Sequence, residues 1–216
     1  MKNVLIIGAG KFGNLIARRM SELGCDVMAV DKDEEKINAV LPYVTNAIIG
    51  DSTSEEFVET LGVSDYDVCF VSIGNDFQTS LEVTALLKDA GARFLVCRAS
   101  SDIQAKFLYR IGADNVIYPE KQMARRIATK YASDNILDYI QLENSSHALY
   151  RLKVPADWNG HTLKELDIRK KHGINVVALW EGDDIVVPDG DTVFKKNDVV
   201  LAIGDRSQLM KVFNIR

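Results

Sequence analysis

The chain has 216 residues, of which 47% are hydrophobic and 26% are charged, and its formal net charge at pH 7 is −5. This composition supplies enough apolar material for a packed core and excludes an intrinsically disordered chain. The negative charge argues against a protein that coats nucleic acid, because such proteins usually present a basic face.

Residues 1–118 contain short apolar runs that alternate with stretches of helical periodicity. Runs of this kind are typical of parallel strands that are buried on both faces. The runs cover residues 4–7, 27–30, 47–49, 68–73, 94–97 and 116–118. The alternation predicts a Rossmann-like, doubly wound α/β domain with a parallel sheet over residues 1–118.

Glycine and serine residues mark the ends of the predicted helices in this domain. Ser54 and Ser101 stand at expected N-cap positions, and each is followed by an acidic residue. Four glycines each close a helical stretch, where a residue with positive φ is often required: Gly24, Gly62, Gly91 and Gly112.

The pattern changes after residue 118. A longer helix is predicted over residues 120–131, and residues 136–140 are predicted to resume a helical turn, so we assign 119–142 to a crossover helix and linker. Residues 143–216 are expected to form a small α+β domain. Its predicted elements are a strand at 148–154, a helix at 162–171, strands at 174–180, 185–188 and 199–203, and a helix at 207–212.

The segment Gly8-Ala9-Gly10-Lys11-Phe12-Gly13 is a Gly-x-Gly-x-x-Gly loop that directly follows a predicted strand and opens a predicted helix. In this context Gly8 allows the tight turn, Gly10 lets a phosphate approach the backbone, and Gly13 lets the helix pack against the strand. The amino end of the helix presents free N–H groups to the phosphates. The loop therefore predicts a nucleotide site.

Further candidate nucleotide-binding residues lie at the ends of the later strands. Asp31 ends the second strand, where an acid accepts hydrogen bonds from the ribose hydroxyls of a nucleotide. An acid there also repels a 2′-phosphate, and the positive charge of Lys32 weakens this repulsion. The alternative is that Asp31 caps the next helix. Asp51 either accepts a hydrogen bond from adenine or belongs to an N-cap box. Arg98 is expected to reach a phosphate. The other predicted cleft residues are Lys11, Phe12, Ser52, Gly74 and Asn75.

Residues that carry catalysis in related nucleotide enzymes are missing from the sequence. His147, His161 and His172 all lie in or near the small C-terminal domain, and neither a Tyr-x-x-x-Lys pair nor a Walker A loop occurs. We therefore interpret the chain as a sensor that binds an adenine nucleotide and not as an enzyme. The alternative interpretation is an NAD(H)-dependent redox sensor or a small oxidoreductase.

The cysteines and the hydropathy pattern indicate the redox state of the thiols and whether the chain could span a membrane. Cys25, Cys69 and Cys97 lie in or beside apolar runs and form no Cys-x-x-Cys pair, which favours reduced, mostly buried thiols over a disulfide framework or a zinc site. No apolar run approaches the roughly 20 residues that span a bilayer. We therefore expect any association with a membrane to depend on a partner.

Several stretches resemble the RCK proteins, the cytosolic regulatory subunits of Ktr- and Trk-type potassium uptake systems. The N-terminal stretches are IIGAGKFG, AVDKDEEKI, SIGNDFQTSLEVTALLKDAGA and RIGADNVIYPEKQMARRIA. The C-terminal unit, LKELDIRKKHGINVVALWEGD through NDVVLAIGD, resembles the second domain of the family.

The resemblance implies a ring of homodimers in the cytoplasm, held at the inner face of the cell membrane by an integral-membrane potassium channel or transporter subunit. Exchange of ATP against ADP or NAD(H) would change the shape of the ring and gate this subunit. Lys11 stands where the family often has an arginine that reaches a neighbouring subunit's phosphates, and lysine keeps the charge but loses the bidentate fork.

The resemblance also implies two further sites. Glu120 matches a position that holds a divalent cation, Mg²⁺ or Ca²⁺, beside the phosphates; read from the residues alone, it is an acid in the first turn of a helix. Arg169, Asn175 and Pro188 fall where some family members bind cyclic di-AMP between two copies, although Arg169 also fits a solvated helix face.

Overall fold

The computed structural model describes residues 1–142 and 145–215. The chain divides into two compact units, Met1–Glu120 and Lys121–Arg216. The predicted start of the C-terminal domain at residue 143 lies outside the described residues. Our assignment of residues 119–142 to a separate crossover segment remains a prediction.

A parallel sheet forms the centre of the first unit. Its strands are β1 (Asn3–Ile7), β2 (Asp26–Asp31), β3 (Asn46–Ile49), β4 (Val68–Val71), β5 (Leu95–Arg98) and β6 (Asn115–Ile117). The strand order is β3-β2-β1-β4-β5-β6, and all five pairings are parallel. This order confirms the doubly wound fold, and it opens a crevice beyond the carboxyl ends of β1 and β4.

Helices lie between successive strands of the first unit, and another helix follows β6. They are α1 (Lys11–Glu22), α2 (Glu34–Val40), α3 (Glu55–Thr60), α4 (Phe77–Asp89), α5 (Asp102–Ile111) and α6 (Pro119–Tyr131), with 3-10 turns at Leu41–Tyr43 and Val63–Asp65. The longest, α4 and α6, have 13 residues each. Within the described part of the chain, no helix is long and apolar enough to cross a membrane.

Strand β1 is buried on both faces, as its apolar run predicts. Leu5 and Ile7 belong to one core cluster, whereas Val4 and Ile6 belong to another. Successive side chains of a strand point to opposite faces, so these two clusters lie on the two sides of the sheet. The edge strand β3 departs from the prediction, because it has a neighbour on one side only and leaves Ile48 and Ile49 exposed.

The helix ends follow the local sequence signals. Ser54 and Ser101 accept hydrogen bonds from the backbone N–H groups of Phe57 and Gln104, which confirms them as N-caps. The four predicted glycines all have positive φ, a conformation that costs glycine little because it has no Cβ. Their φ angles are 81° at Gly24, 61° at Gly62, 84° at Gly91 and 111° at Gly112.

The second unit is built on an antiparallel sheet. Its strands are β7 (Ile136–Gln141), β8 (His147–Lys153), β9 (Asn175–Glu181), β10 (Asp184–Val186) and β11 (Val199–Asp205), in the order β10-β9-β11-β8-β7. Its helices are a 3-10 turn (Ala156–Trp158), α7 (Leu163–Leu166), α8 (Ile168–His172) and α9 (Arg206–Val212). Tyr150, Phe194 and Phe213 are almost completely buried in its core.

Two predicted elements of the second unit are wrong. Residues 136–140 form strand β7 and no helical turn, because pairing with β8 satisfies their backbone groups and buries Ile136 and Tyr139. The single helix predicted at 162–171 is two short helices, because Asp167 adopts a left-handed conformation with φ of 48° between them.

The thiols differ enough in burial for a chemical test. Burial raises the pKa of Cys69 to about 12 and that of Cys97 to about 11, whereas Cys25 is partly exposed. At pH 8 the two buried thiols are almost entirely protonated, and the thiolate is the species that alkylates. We expect iodoacetamide to add one adduct to the folded protein, at Cys25, and three after denaturation, as measured by intact mass. A Cys25→Ser variant is the control, and rapid native labelling of Cys69 or Cys97 would contradict the predicted burial.

Candidate functional site

A cleft of about 780 Å³ opens at the carboxyl ends of the parallel strands in the first unit. Its volume falls within the range of about 300–1,000 Å³ that is common for small-molecule sites. The structure brings to this cleft all predicted N-terminal site residues except Gly13. They are Gly8, Gly10, Lys11, Phe12, Asp31, Lys32, Asp51, Ser52, Gly74, Asn75, Arg98 and Glu120.

The glycine loop connects β1 to α1, and its glycines have different surroundings. Gly8 has a φ of 94°, and its N–H donates to the carbonyl oxygen of Val30 at 2.7 Å. A Cβ on Gly13 would lie 1.9 Å from the carbonyl oxygen of Gly8, so Gly13 serves the site by letting α1 pack against the loop. Among the described residues, apart from its two chain neighbours, a Cβ on Gly10 would meet no atom within 4 Å. The open space beside Gly10 is therefore where a ligand can approach the backbone.

The amino end of α1 faces this space without a side-chain cap. Gly10 is the N-cap, and among the described residues no side chain caps the helix and no acid lies in its first turn. By contrast, α2, α3, α4 and α5 are all capped by side chains, those of Asp33, Ser54, Asp76 and Ser101. Uncapped N–H groups and the positive end of the helix dipole make this terminus suited to an anion.

Asp31 holds the glycine loop from the end of β2. Its Oδ2 accepts a hydrogen bond from the N–H of Ala9 at 2.8 Å, and its Oδ1 accepts one from the N–H of Asp33 at 3.0 Å. The Lys36 ammonium lies 3.5 Å from Oδ1. The N-cap of α2 is Asp33, so the alternative role of Asp31 as the cap of that helix is wrong. A carboxylate has about four acceptor positions, which leaves capacity for ribose hydroxyls.

Asp51 lies at the β3 end of the cleft. It accepts hydrogen bonds from the Thr53 N–H at 3.0 Å and the Thr53 hydroxyl at 2.8 Å. These bonds, together with the charge of Lys32, lower the pKa of Asp51. The N-cap of α3 is Ser54, so Asp51 closes a turn that precedes this cap. Its carboxylate stays ionised on the cleft wall, where it can act as an acceptor.

Sequence reasoning missed several residues that line the same cleft. Asp76 is the N-cap of α4 and accepts from the N–H and hydroxyl of Thr79 at 3.0 and 2.7 Å, which lowers its pKa. Lys36 reaches the cleft from α2. Asp76 was within reach of sequence analysis, because it directly follows the predicted Gly74-Asn75 segment. Lys36 carries no such signal, since only the orientation of α2 turns it toward Asp31.

Arg98 and Glu120 form an ion pair on the cleft wall. Nη2 of Arg98 donates a hydrogen bond to Oε1 of Glu120. The side chain of Arg98 is 19% exposed and that of Glu120 is 56% exposed. The pKa of Glu120 is lowered by its own backbone N–H in the first turn of α6 and by the Arg98 guanidinium. The described residues hold no cluster of three or more His, Cys, Asp or Glu side chains placed for a metal ion. In the structure, the carboxylate of Glu120 is paired with the guanidinium of Arg98.

The residues predicted for cyclic di-AMP all lie in the second unit. Arg169 is on α8, Asn175 begins β9, and Pro188 follows β10. Strands β9 and β10 pair antiparallel, with Val186 opposite Leu179, so Asn175 and Pro188 lie toward the same end of this hairpin. Their role in binding stays a prediction.

Comparison with known proteins identifies the family. A model of the TrkA-N domain matches residues 4–119, and a model of the TrkA-C domain matches residues 148–216. The chain is 38% identical over 211 residues to the Ktr system potassium uptake protein C of Bacillus subtilis, a match that covers 97% of this chain and 95% of that protein. The chain belongs to the Ktr/TrkA family of potassium uptake proteins. The resemblance to RCK proteins is thereby confirmed.

Other members and structures agree with placement in the Ktr/TrkA family. The Ktr system potassium uptake protein A of Vibrio alginolyticus is 32% identical over 209 residues, covering 96% of this chain and 94% of that protein. The crystal structure of the GsuK RCK domain matches with a TM-score of 0.68 at 16% identity and covers 99% of this chain and 47% of that one. The GsuK channel bound to NAD matches with a TM-score of 0.65 at 16% identity, covering 99% and 39%. At 16% identity, these structural matches support the fold of the chain and no more.

Proposed function

We propose that this chain is a cytosolic regulatory subunit that binds an adenine nucleotide in the first-unit cleft and gates a membrane potassium channel or transporter subunit. The observation that carries the proposal is the uncapped amino end of α1 next to the Asp31 carboxylate, in a chain similar over its full length to Ktr potassium uptake proteins. This combination suits a ligand with both phosphates and a ribose.

The chemistry of the cleft suggests how such a ligand binds. The N–H groups of the first turn of α1 take the phosphates, and Asp31 accepts from the ribose hydroxyls. Lys11 would reach the phosphates bound by a neighbouring subunit. Asp51, at the far end of the cleft, accepts from the adenine amino group. Arg98 lies on the phosphate side, where its guanidinium suits a bidentate contact.

The proposed role is regulation without turnover. A ligand shifts a conformational equilibrium only when it binds the two states with different affinity, so ATP, ADP and NAD(H) would act by that difference. We propose that homodimers assemble into a ring on the cytoplasmic side of the membrane. The ring would transmit the change of state to the integral-membrane partner.

We also propose that a divalent cation, Mg²⁺ or Ca²⁺, accompanies ATP beside Glu120. Glu120 is already paired with Arg98, and the described residues form no group of three or more His, Cys, Asp or Glu placed for a metal ion, so phosphate oxygens, water or groups of a second copy would complete the coordination. A cation at this place would offset the charge of the phosphates. Its presence would make ATP affinity depend on magnesium.

Cyclic di-AMP is a proposed second ligand, held between two copies by Arg169, Asn175 and Pro188. Arg169 supplies the positive charge that a phosphodiester requires, and Asn175 supplies amide hydrogen bonds. Equilibrium binding of cyclic di-AMP to wild type and to Arg169→Ala tests this site. Absence of any affinity below the millimolar range would reject it.

The experiment that tests the main proposal is equilibrium binding of ATP, ADP, NAD and NADH to nucleotide-stripped protein, with and without Mg²⁺. We expect micromolar binding of several adenine nucleotides, no turnover over hours, and a magnesium effect confined to ATP. Tight binding of NAD or NADH with ATP ignored would instead favour a redox sensor or a small oxidoreductase. Absence of all nucleotide binding would reject the proposal.

A further inference from the structure

We infer that Glu120 competes with the phosphates of a bound nucleotide for the guanidinium of Arg98, and that this competition sets how strongly the cleft prefers nucleotides to nucleosides. The inference rests on the proposed nucleotide site and adds a residue that opposes phosphate binding. It assigns to Glu120 a partner within its own unit, which requires no metal ion.

The Arg98 guanidinium lies on the cleft wall between two loops. Its Cζ lies 5.4 Å from the ring centroid of Phe12, the glycine-loop residue in the first turn of α1. Gly74, in the loop after β4, leaves the room that the guanidinium occupies, since a Cβ there would lie 2.8 Å from Cζ. The guanidinium is therefore positioned between the glycine loop and the loop after β4, where phosphates are expected.

Arg98 and Glu120 differ in solvent exposure, so breaking their ion pair is less favourable for Arg98 than for Glu120. Arg98 is mostly buried, and its Nε has no hydrogen-bond partner among the described residues. Because Nε is enclosed by protein, an approaching anion meets the Nη groups, of which Nη2 is already bonded to Glu120. Glu120 is more than half exposed and regains water when released. When an anion arrives, the carboxylate is thus the group that can leave.

Phosphate is well suited to replace the carboxylate. It carries more negative charge, and it can accept two parallel N–H bonds from the planar guanidinium. Binding of a nucleotide at Arg98 must nevertheless break or share the existing ion pair, which reduces the net gain. Adenosine, which has no phosphate, leaves the pair intact. Glu120 should therefore weaken the binding of ADP and leave that of adenosine unchanged.

The test measures dissociation constants of ADP and adenosine by calorimetry for wild type and Glu120→Gln, in EDTA so that no divalent cation contributes. We expect Glu120→Gln to bind ADP about fivefold more tightly, the upper value for a partly exposed ion pair, and adenosine with the same affinity. In an Arg98→Met background, which weakens ADP binding, Glu120→Gln should have no further effect. Glu22→Gln is the charge-matched control, because Glu22 forms an exposed ion pair with Arg19 at 2.8 Å outside the cleft.

The outcomes separate this inference from the proposed function. If wild type binds ADP and Glu120→Gln binds it equally or more weakly, the competition is rejected and the nucleotide site stands. Equal tightening of ADP and adenosine also rejects it, because Glu120 would then act on the shape of the cleft. If wild type binds no nucleotide, the inference and the proposed function both fail.

Discussion

Replacing Gly10 with valine is expected to abolish nucleotide binding while leaving the chain folded. The backbone at Gly10 has φ of −62° and ψ of −176°, which valine adopts without strain. In the described part of the chain, a Cβ there meets no atom within 4 Å beyond its sequence neighbours. The isopropyl group would fill the space in which phosphates approach the amino end of α1. Loss of two hydrogen bonds to a charged phosphate lowers affinity by at least about a hundredfold, measurable as the dissociation constant of ADP.

Gly13 provides the matched control for that substitution. A Cβ at Gly13 would lie 1.9 Å from the Gly8 carbonyl oxygen, so Gly13→Ala should destabilise the fold by about 1–3 kcal/mol in a thermal or denaturant melt. Gly10→Val should show the melting temperature of wild type. Retained ADP binding in folded Gly10→Val would show that the loop does not hold the phosphates.

Asp31→Ala is expected to weaken ribose-containing ligands by a factor of tens. The substitution removes the acceptor for the ribose hydroxyls and also releases the N–H groups of Ala9 and Asp33, so both binding and loop order suffer. Comparing ATP with 2′,3′-dideoxy-ATP separates the two effects. Wild type should discriminate between these ligands, and Asp31→Ala should bind them with nearly equal affinity.

Asp33→Ala controls for the loss of a nearby carboxylate. Asp33 caps α2 and does not line the cleft, so its removal should cost about 0.5–2 kcal/mol of stability and leave the discrimination between the two ligands intact. If Asp31→Ala still discriminates as wild type does, Asp31 serves only to order the glycine loop.

Much of the first unit could be predicted from the sequence because its signals are local. Each apolar run alternates with a helical stretch, and the right-handed crossovers of such units leave few arrangements for the sheet. The glycine loop and Asp31 belong to one strand-turn-helix-strand segment, so their positions in the cleft follow from short stretches of chain. The caps at Ser54 and Ser101 and the four glycines with positive φ are likewise decided within a few residues.

Residues 136–140 were predicted as a helical turn because their secondary structure depends on a partner strand outside the segment itself. In isolation their apolar spacing suits a helical turn, and only pairing with β8 supplies the hydrogen bonds that make them a strand. The same dependence explains why the exposure of β3 escaped prediction. Its apolar residues resemble those of the central strands, and the order of the sheet alone makes it an edge.

The sequence by itself thus determined the fold class, the glycine loop and the acid at the end of β2, since each arises from neighbouring residues. The tertiary structure alone decided that Lys36 faces Asp31 and that Arg98 pairs with Glu120. Arg98 ends β5 and Glu120 lies in the first turn of α6, and they meet because β5 and β6 lie side by side in the sheet. Charges carry no information about such pairing along the chain, because their interaction depends on distance in space.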